Sequence, residues 1–128
     1  MRAIPEAMLA DINHRLTWGT ERHSCKNGVW DVETHYGIHR IEHKAREHVL
    51  TFTRIEIAKP LRRQGYFTEL FQTILSDPRL MDQPVEWLYF ENCPYRFATM
   101  LVDRLGFKSE PGLVTDAWRK VTPQMALL

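Results

Sequence analysis

Apolar residues change their spacing several times along the chain, and this switching limits the fold class more than any other feature. Helical spacing dominates at residues 4–16, 67–75 and 97–105, whereas β-forming residues dominate at 48–58 and 84–90. A chain that alternates between these two periods is typical of a mixed α and β domain. With 128 residues, the chain has room for one such domain.

The pattern divides this single α/β (α+β) domain into four consecutive regions. Residues 1–27 form an abbreviated N-terminal helical region, and 28–58 form a meander of antiparallel strands. Residues 59–77 form a loop and a helix, and 84–121 form a strand, a helix and two closing strands. We expect a mixed central sheet with flanking helices, in which one helical crossover makes two neighbouring strands parallel.

Glycine and charged residues mark the turns predicted within the meander. In chain order, the sequence predicts a loop at 20–28, strands at 29–34 and 38–44 joined around Gly37, a turn at Arg46 and Glu47, and a strand at 48–58. Lys59 and Pro60 then end the third strand.

Proline and glycine also mark the elements of the second half. Asp77 and Pro78 end the helix that begins near Phe67, since proline disfavours helical backbone in the residue before it. Strand 84–90 is largely apolar and is therefore predicted to be central. The last helix is predicted to have its cap at Asn92 or Cys93, with Pro94 in its first turn and Gly106 after its end. Its predicted buried stripe consists of Phe97, Ala98, Leu101, Val102 and Leu105. Two strands, at 107–114 and 115–121, are predicted to follow the helix.

The strongest local signal is a short basic loop between a β-rich strand and a helix, Arg62-Arg63-Gln64-Gly65. The first N–H groups of a helix lack intrahelical partners, and the helix dipole adds partial positive charge there. Gly65 permits a close backbone approach, and both arginines can bind phosphate oxygens. The loop therefore indicates an anion site. An exposed helix start with an ordinary glycine turn explains the same residues.

This loop resembles the acyl-CoA loop of the GNAT superfamily of N-acyltransferases. The resemblance lies in Arg62-x-x-Gly65 after a strand, with Leu70 and Leu75 on the following helix. Phe67 stands where the family usually has glycine or alanine.

A second motif, Leu-Val-Asp-Arg-Leu-Gly-Phe-Lys at residues 101–108, is similar to the family's late helix, which ends in Leu-Tyr-x-x-Leu-Gly-Phe. Val102 replaces the tyrosine that often acts as an acid there. The two motifs occur in the expected order, and the resemblance covers residues 28–121. The chain has one clear early helix where the family usually has two, so the acceptor pocket is expected to be open or completed by a partner chain.

The resemblance implies acetyl-CoA as co-substrate, without a metal. Strands ending at Ala58 and Glu91 are expected to diverge and admit the pantetheine arm, while the diphosphate lies on the N–H groups of residues 63–68. The residues implied in cofactor binding are Ile57, Ala58, Lys59, Arg62, Arg63, Gln64, Gly65, Tyr66, Phe67, Thr68 and Asn92.

In this family an amine attacks the thioester directly, so the site needs a path for the amine proton and an acid for the leaving thiolate. Glu91, at the end of its strand, is the first candidate base, and Glu56 is the second. Tyr95 is the candidate acid, because it lies seven residues before Val102 on one helix and near the same face. Solvated carboxylates, a packed tyrosine and a water relay are the alternatives.

The histidines and cysteines give weaker indications of function. His35, His39 and His43 have the spacing of metal ligands on a helix, but the predicted hairpin spreads them apart, so no metal site is expected. Cys25 and Cys93 form no disulfide scaffold and are predicted to be reduced thiols of a cytoplasmic protein without a signal peptide or membrane span.

Charge is uneven although the net charge is only +1. Seven Lys and Arg against three Asp and Glu leave +4 between residues 40 and 63, whereas residues 76–92 carry −3. A basic loop for a diphosphate beside an acidic rim for a cationic amine fits an acyltransferase.

The sequence is therefore consistent with three functions. The first is an N-acetyltransferase acting on a primary amine of a small molecule or protein. The second is a GNAT-fold binding or inhibitory module that retains CoA binding or acts through a protein partner, which the substitutions at Phe67 and Val102 favour. The third, a nucleic-acid binder, is disfavoured by the near-zero net charge. A homodimer or a protein partner is expected from the apolar tail at residues 125–128.

Overall fold

The computed structural model describes residues 1–16, 23–26, 29–42, 46–110 and 114–121. In chain order the elements are α1 (Ala3–Leu16), β1 (His23–Lys26), β2 (Trp30–Arg40), β3 (Arg46–Ile57), α2 (Tyr66–Ser76), β4 (Trp87–Pro94), α3 (Tyr95–Leu105), β5 (Lys108–Ser109) and β6 (Val114–Lys120). Short 3-10 turns follow β3 and α2.

The strands form one mixed sheet of six in the order β1-β2-β3-β4-β6-β5. Strands β3 and β4 are parallel and are connected through α2, whereas the other neighbouring pairs are antiparallel. The predicted mixed sheet, its meander and its single parallel crossover are therefore confirmed. The apolar strand predicted to be central, β4, lies between β3 and β6.

The main core lies between one face of this sheet and the helices. Phe52, Leu88 and Phe90 pack in a single cluster with apolar residues of α1, α2 and α3. The helix face of α2 comprises Leu70, Phe71, Ile74 and Leu75, as its apolar spacing predicts. Burial of this face fixes α2 behind the parallel strands and thereby places its first turn near the end of β3.

The opposite sheet face carries a smaller cluster of Ile41, Val49 and Trp87, against which Tyr89 and Trp118 pack. We call it the open face, because none of the helices that the structure describes contributes to this cluster. The tip of the β2–β3 hairpin bends over it: Trp118 donates its indole N–H to Glu42 at 2.8 Å, and Lys108 pairs with the same carboxylate at 3.0 Å.

The meander differs from its prediction. Residues 30–40 form one continuous strand, and Gly37 pairs with Val49 inside the ladder instead of forming a turn. Arg46 and Glu47 belong to β3, and the predicted loop at 20–28 contains the edge strand β1. A glycine inside a strand reduces strand propensity but leaves room for neighbouring side chains, and here the ladder with β3 continues through Gly37 to Arg40.

The ends of α3 also differ. The helix starts at Tyr95 with Pro94 as its N-cap, because β4 continues through Asn92 and Cys93 to Pro94. Val102 is 37% exposed and so does not belong to the buried stripe. The other prediction holds, since Gly106 ends the helix in the left-handed conformation at φ 71°. Of the first closing strand, only Lys108–Ser109 pair as β5, and residues 111–113 lie outside the described chain.

In the described part of the chain, no helix combines the length and the apolar composition that crossing a membrane requires.

A histidine–carboxylate pair ties β3 to the segment before β4. His48 Nδ1 lies 2.7 Å from Glu86 Oε1, and the His48 backbone N–H donates to the same oxygen at 3.1 Å. These bonds lower the pKa of Glu86 from 4.5 to about 2. A carboxyl whose pKa falls on folding stabilises the folded state above its unfolded pKa, and the contribution is lost as the pH falls towards the folded pKa.

Glu86→Gln is therefore expected to lower the free energy of unfolding at pH 7 and to have less effect in acid. The side chain is 41% exposed, so solvent screening limits the loss to about 0.5–1 kcal/mol. Urea denaturation at pH 7 and pH 3 measures it, and the difference between the two proteins should shrink below half at pH 3. An equal difference at both values would contradict this assignment.

Candidate acetyl-CoA and acceptor sites

The parallel strands separate where the resemblance places the pantetheine arm. Pairing runs from Val49 with Trp87 to Phe52 with Phe90, and then both strands continue without pairing to each other. Strand β3 runs on to Ile57 and β4 to Pro94. An opening lined by two strand edges therefore begins directly after Phe52 and Phe90.

A bulge in β3 starts one side of this opening. Thr53 is an extra residue, because Arg54 pairs with Glu33 and Phe52 pairs with Thr34. Its hydroxyl donates to Glu33 Oε1 at 2.6 Å. A bulge bends and twists its strand, so β3 turns away from β4 at this point.

A bulge in β4 starts the other side. Glu91 and Asn92 together lie opposite one residue of β6, Asp116. Asn92 has a left-handed backbone at φ 52°, which asparagine tolerates better than most residues. Its backbone N–H donates to Asp116 Oδ1 at 3.0 Å, and the Tyr89 hydroxyl donates to Asp116 Oδ2 at 2.5 Å. Burial and this bond raise the pKa of Tyr89 well above its usual value, so the hydroxyl stays protonated.

The basic loop leads from the end of β3 to the start of α2. Arg63 and Gly65 both have left-handed backbones, at φ 64° and 76°, and Gly65 is the N-cap of α2 without a side-chain cap bond. The Arg62 side chain donates to the Ile57 carbonyl at 3.0 Å, and Gln64 donates to the Pro60 carbonyl at 3.1 Å. The loop is thus stabilised by its own hydrogen bonds. Because Gly65 provides no side-chain cap, the first N–H groups of α2 can bind an anion instead.

The sequence offered no signal for one further cation at this loop. Arg2 lies 4.4 Å from the centre of the Tyr66 ring and donates to Glu69 through Nε at 2.7 Å. These bonds lower the pKa of Glu69. Its Nη2 lies 3.6 Å from the position that a Cβ on Gly65 would occupy. Arg2 therefore places a guanidinium beside the loop, where it is paired with Glu69.

The open face contains a cleft of about 360 Å³ next to the β4 bulge. It is lined by His35, His39, Arg40, Ile41, Val49, Thr51, Tyr89, Glu91, Asn92 and Asp116. His35 Nε2 lies 3.7 Å from Glu91 Oε1, and the rings of His35 and His39 meet edge to face with their centres 5.7 Å apart. The two rings come together although they are four positions apart on an extended strand, because Gly37 between them carries no side chain. The expectation that this spacing keeps them apart was wrong.

The predicted site residues fall at three places. Glu91 and Asn92 line the cleft, and the Asn92 backbone N–H is engaged by Asp116. Glu56 lines a separate cavity of about 210 Å³ together with Ile57, Ala58 and Arg62, so the two candidate bases are not brought together.

The remaining predicted residues lie along the loop and the first turns of two helices. Lys59 is exposed in the turn after β3, Ala58 donates its N–H to the Val29 carbonyl at 2.8 Å, and Tyr95 is 61% exposed at the start of α3. Phe67 packs against Phe71 and Phe97. Thr68, the next residue, has its hydroxyl 3.8 Å from the Met100 sulfur.

Among the residues that the structure describes, no three His, Cys, Asp or Glu side chains are grouped to hold a metal ion. His43 and the side chain of Cys25 lie outside these residues. Cys93 is buried, and burial raises the pKa of its thiol to about 12, which keeps it protonated and unreactive.

The fold has solved counterparts. A mutant of the toxin AtaT, bound to the C-terminus of the antitoxin AtaR and acetyl-CoA, matches 73% of this chain and 59% of its own with a TM-score of 0.52 and 15% identity. The toxin–antitoxin complex KacTA with DNA matches 77% of this chain and 64% of its own, with a TM-score of 0.52 and 14% identity. The chain thus spans about three fifths of the length of these structures.

These likenesses show that the chain has the fold of the GNAT acetyltransferases. No protein-family model and no curated protein matches the sequence.

Proposed function

We propose that the protein transfers the acetyl group of acetyl-CoA to a primary amine. The observation that carries this proposal is the opening between β3 and β4, which leads directly into the basic loop and the uncapped start of α2. An extended polar chain can hydrogen-bond to an exposed strand edge, and a diphosphate can accept bonds from the first N–H groups of a helix. Because the opening leads into the loop, one ligand that has both an extended polar chain and a diphosphate could occupy the strand edge and the helix start together.

In this proposal the cofactor-binding residues act mainly through their backbone. The backbone at residues 57–59, where β3 ends, holds the pantetheine arm through groups other than the Ile57 carbonyl and the Ala58 N–H, which are bonded to Arg62 and Val29. The N–H groups of residues 63–68 hold the diphosphate. Arg63 is exposed and can pair with a phosphate, whereas Arg62 braces the loop through the Ile57 carbonyl. Arg2 adds a further guanidinium from the side of α1.

The acceptor amine enters the cleft on the open face. Its nitrogen attacks the thioester carbonyl carbon, a C–N bond forms, and the C–S bond breaks. Glu91 accepts the proton that the amine loses, and its Oε1 lies 3.7 Å from His35 Nε2. The departing thiolate takes a proton, for which Tyr95 is the proposed donor.

Calorimetry with acetyl-CoA and transfer assays with a panel of amines test this function. Glu91→Gln is expected to lower kcat about 100-fold or more, because a positioned base contributes at least this much. Acetyl-CoA affinity should not change, since the carboxylate lies in the acceptor cleft. Glu56→Gln is the matched control and should keep kcat within about threefold.

A wild-type protein that binds no acetyl-CoA at millimolar concentration would refute the proposal. Loss of activity in the Glu56 variant instead of the Glu91 variant would reassign the base.

A second candidate is a module that binds acetyl-CoA without transferring its acetyl group. Phe67 favours it, because this large ring stands in the first turn of α2, where the family's loop usually has a small residue, and packs against Phe97 at 6.0 Å. Val102, at the tyrosine position of the late helix, also favours it. Acetyl-CoA binding without turnover on any amine would support this module.

A further inference from the structure

Asp116 is the one residue of β6 that faces the two-residue bulge of β4, and both of its carboxylate oxygens are used there. Oδ1 accepts the Asn92 backbone N–H at 3.0 Å, and Oδ2 accepts the Tyr89 hydroxyl at 2.5 Å. A hydrogen bond to a charged acceptor is about twice as strong as one between neutral groups. Asp116 is therefore the main support of this bulge from outside β4.

The two donors flank Glu91 along the chain. Tyr89 precedes it by two residues on the same face of the strand, and Asn92 follows it directly with a left-handed backbone. When both flanking residues are fixed, the Cα–Cβ direction of Glu91 is fixed too, and its carboxylate is held in the cleft beside His35. Because Tyr89 keeps its proton, this support persists at ordinary pH.

We propose that Asp116 is a positioning residue for Glu91, acting through the Asn92 backbone and the Tyr89 hydroxyl. The inference rests on the proposed function, since Glu91 has a part in the reaction only if acetyl transfer takes place. It adds to that function a residue that sequence spacing did not indicate. Catalytic groups misplaced by about 1 Å lose roughly 100-fold in rate, so an intermediate loss is expected when one support is removed.

The test compares four variants with the wild type in steady-state transfer assays. Asp116→Ala removes both acceptors and should lower kcat about 30-fold, whereas Asp116→Asn keeps one acceptor oxygen and should lose about 10-fold. The KM values for amine and acetyl-CoA should stay within about twofold in both. Tyr89→Phe should lose less, and the double variant Tyr89→Phe with Asp116→Asn should be no worse than Asp116→Asn alone, because the two groups form one contact.

Asp103→Asn, on the exposed side of α3, is the matched control and should leave kcat unchanged. A rise in the amine KM with kcat unchanged in Asp116→Asn would overturn the proposal, because Asp116 would then bind the acceptor directly. An unchanged kcat in both Asp116 variants would also overturn it.

Amide hydrogen exchange of Asn92 in the ligand-free protein gives a second readout that does not depend on activity. In Asp116→Asn and Asp116→Ala this amide should exchange at least about tenfold faster, while amides in α2 remain unchanged. Unchanged exchange would overturn the positioning role. If no amine is acetylated by the wild type while exchange rises as expected, the proposed function fails and the support of the bulge by Asp116 remains.

Discussion

Replacing Phe90 with alanine is expected to lower the free energy of unfolding by about 3–5 kcal/mol. The Phe90 ring is 1% exposed and stacks on Phe52 at 4.7 Å, with Phe71 nearly perpendicular at 4.9 Å. All three rings belong to the main core: Phe52 and Phe90 lie on the two parallel strands, and Phe71 lies on α2, the helix that connects them. Alanine at this position leaves a cavity that rings held by three different elements cannot close.

Urea denaturation followed by circular dichroism measures this loss. Phe97→Ala is the matched control, because Phe97 is only partly buried against the same cluster, and it should cost about half as much. Phe90→Leu, which fills most of the space, should lose about 1–1.5 kcal/mol and keeps the comparison available if the alanine variant does not fold. An equal loss at positions 90 and 97 would contradict this description of the core.

Gly65→Asp is expected to weaken acetyl-CoA binding about 100-fold and also to lower stability slightly, because residue 65 has a left-handed backbone at φ 76°. Aspartate tolerates this backbone better than most residues do, and its Cβ would meet Arg2 Nη2 at an ordinary contact distance of 3.6 Å. Its carboxylate would nevertheless stand where the diphosphate is proposed to bind. Two unit charges about 5 Å apart repel by roughly 1 kcal/mol in water and roughly 3 kcal/mol near a protein surface, and the diphosphate carries at least two charges.

Gly65→Asn tests whether the loss of affinity comes from the charge of the new side chain or from its shape. Asparagine is nearly isosteric with aspartate and meets the same left-handed backbone at φ 76°, so the backbone strain is common to both variants. Calorimetry should therefore find affinity within about tenfold of the wild type for Asn and a much larger loss for Asp. Equal affinities for the two variants would mean that no phosphate lies against this helix start.

Much of the fold follows from local patterns. The apolar stripe of α2 and the glycine that ends α3 depend on residues within one or two turns of each other, and the parallel crossover follows from a helix placed between two apolar strands; all three predictions are confirmed. The meander was harder to predict, because its polar edge strand β1 has no alternating apolar side and Gly37 resembles a turn residue. Only the pairing of Gly37 with Val49 shows that the strand continues.

The candidate site was predictable in part, for a related reason. The basic loop is contiguous in sequence, so its residues could be recognised together. His35, Tyr89 and Asp116 come from β2, β4 and β6, and they meet at the cleft because of strand register and a bulge. A bulge changes which side chains share a face, and no local spacing in the sequence signals where it occurs.

The two bulges also have a mechanical consequence. The sheet consists of two leaves of three strands, β1-β2-β3 and β4-β6-β5, joined edge to edge along the residues from Val49 to Phe52. Beyond this seam each leaf is held by its own strand pairing, and the helices pack behind the sheet. A molecule bound along the opening would contact both leaves and link them. Binding would therefore restrict the motion of one leaf relative to the other and make the whole sheet more rigid.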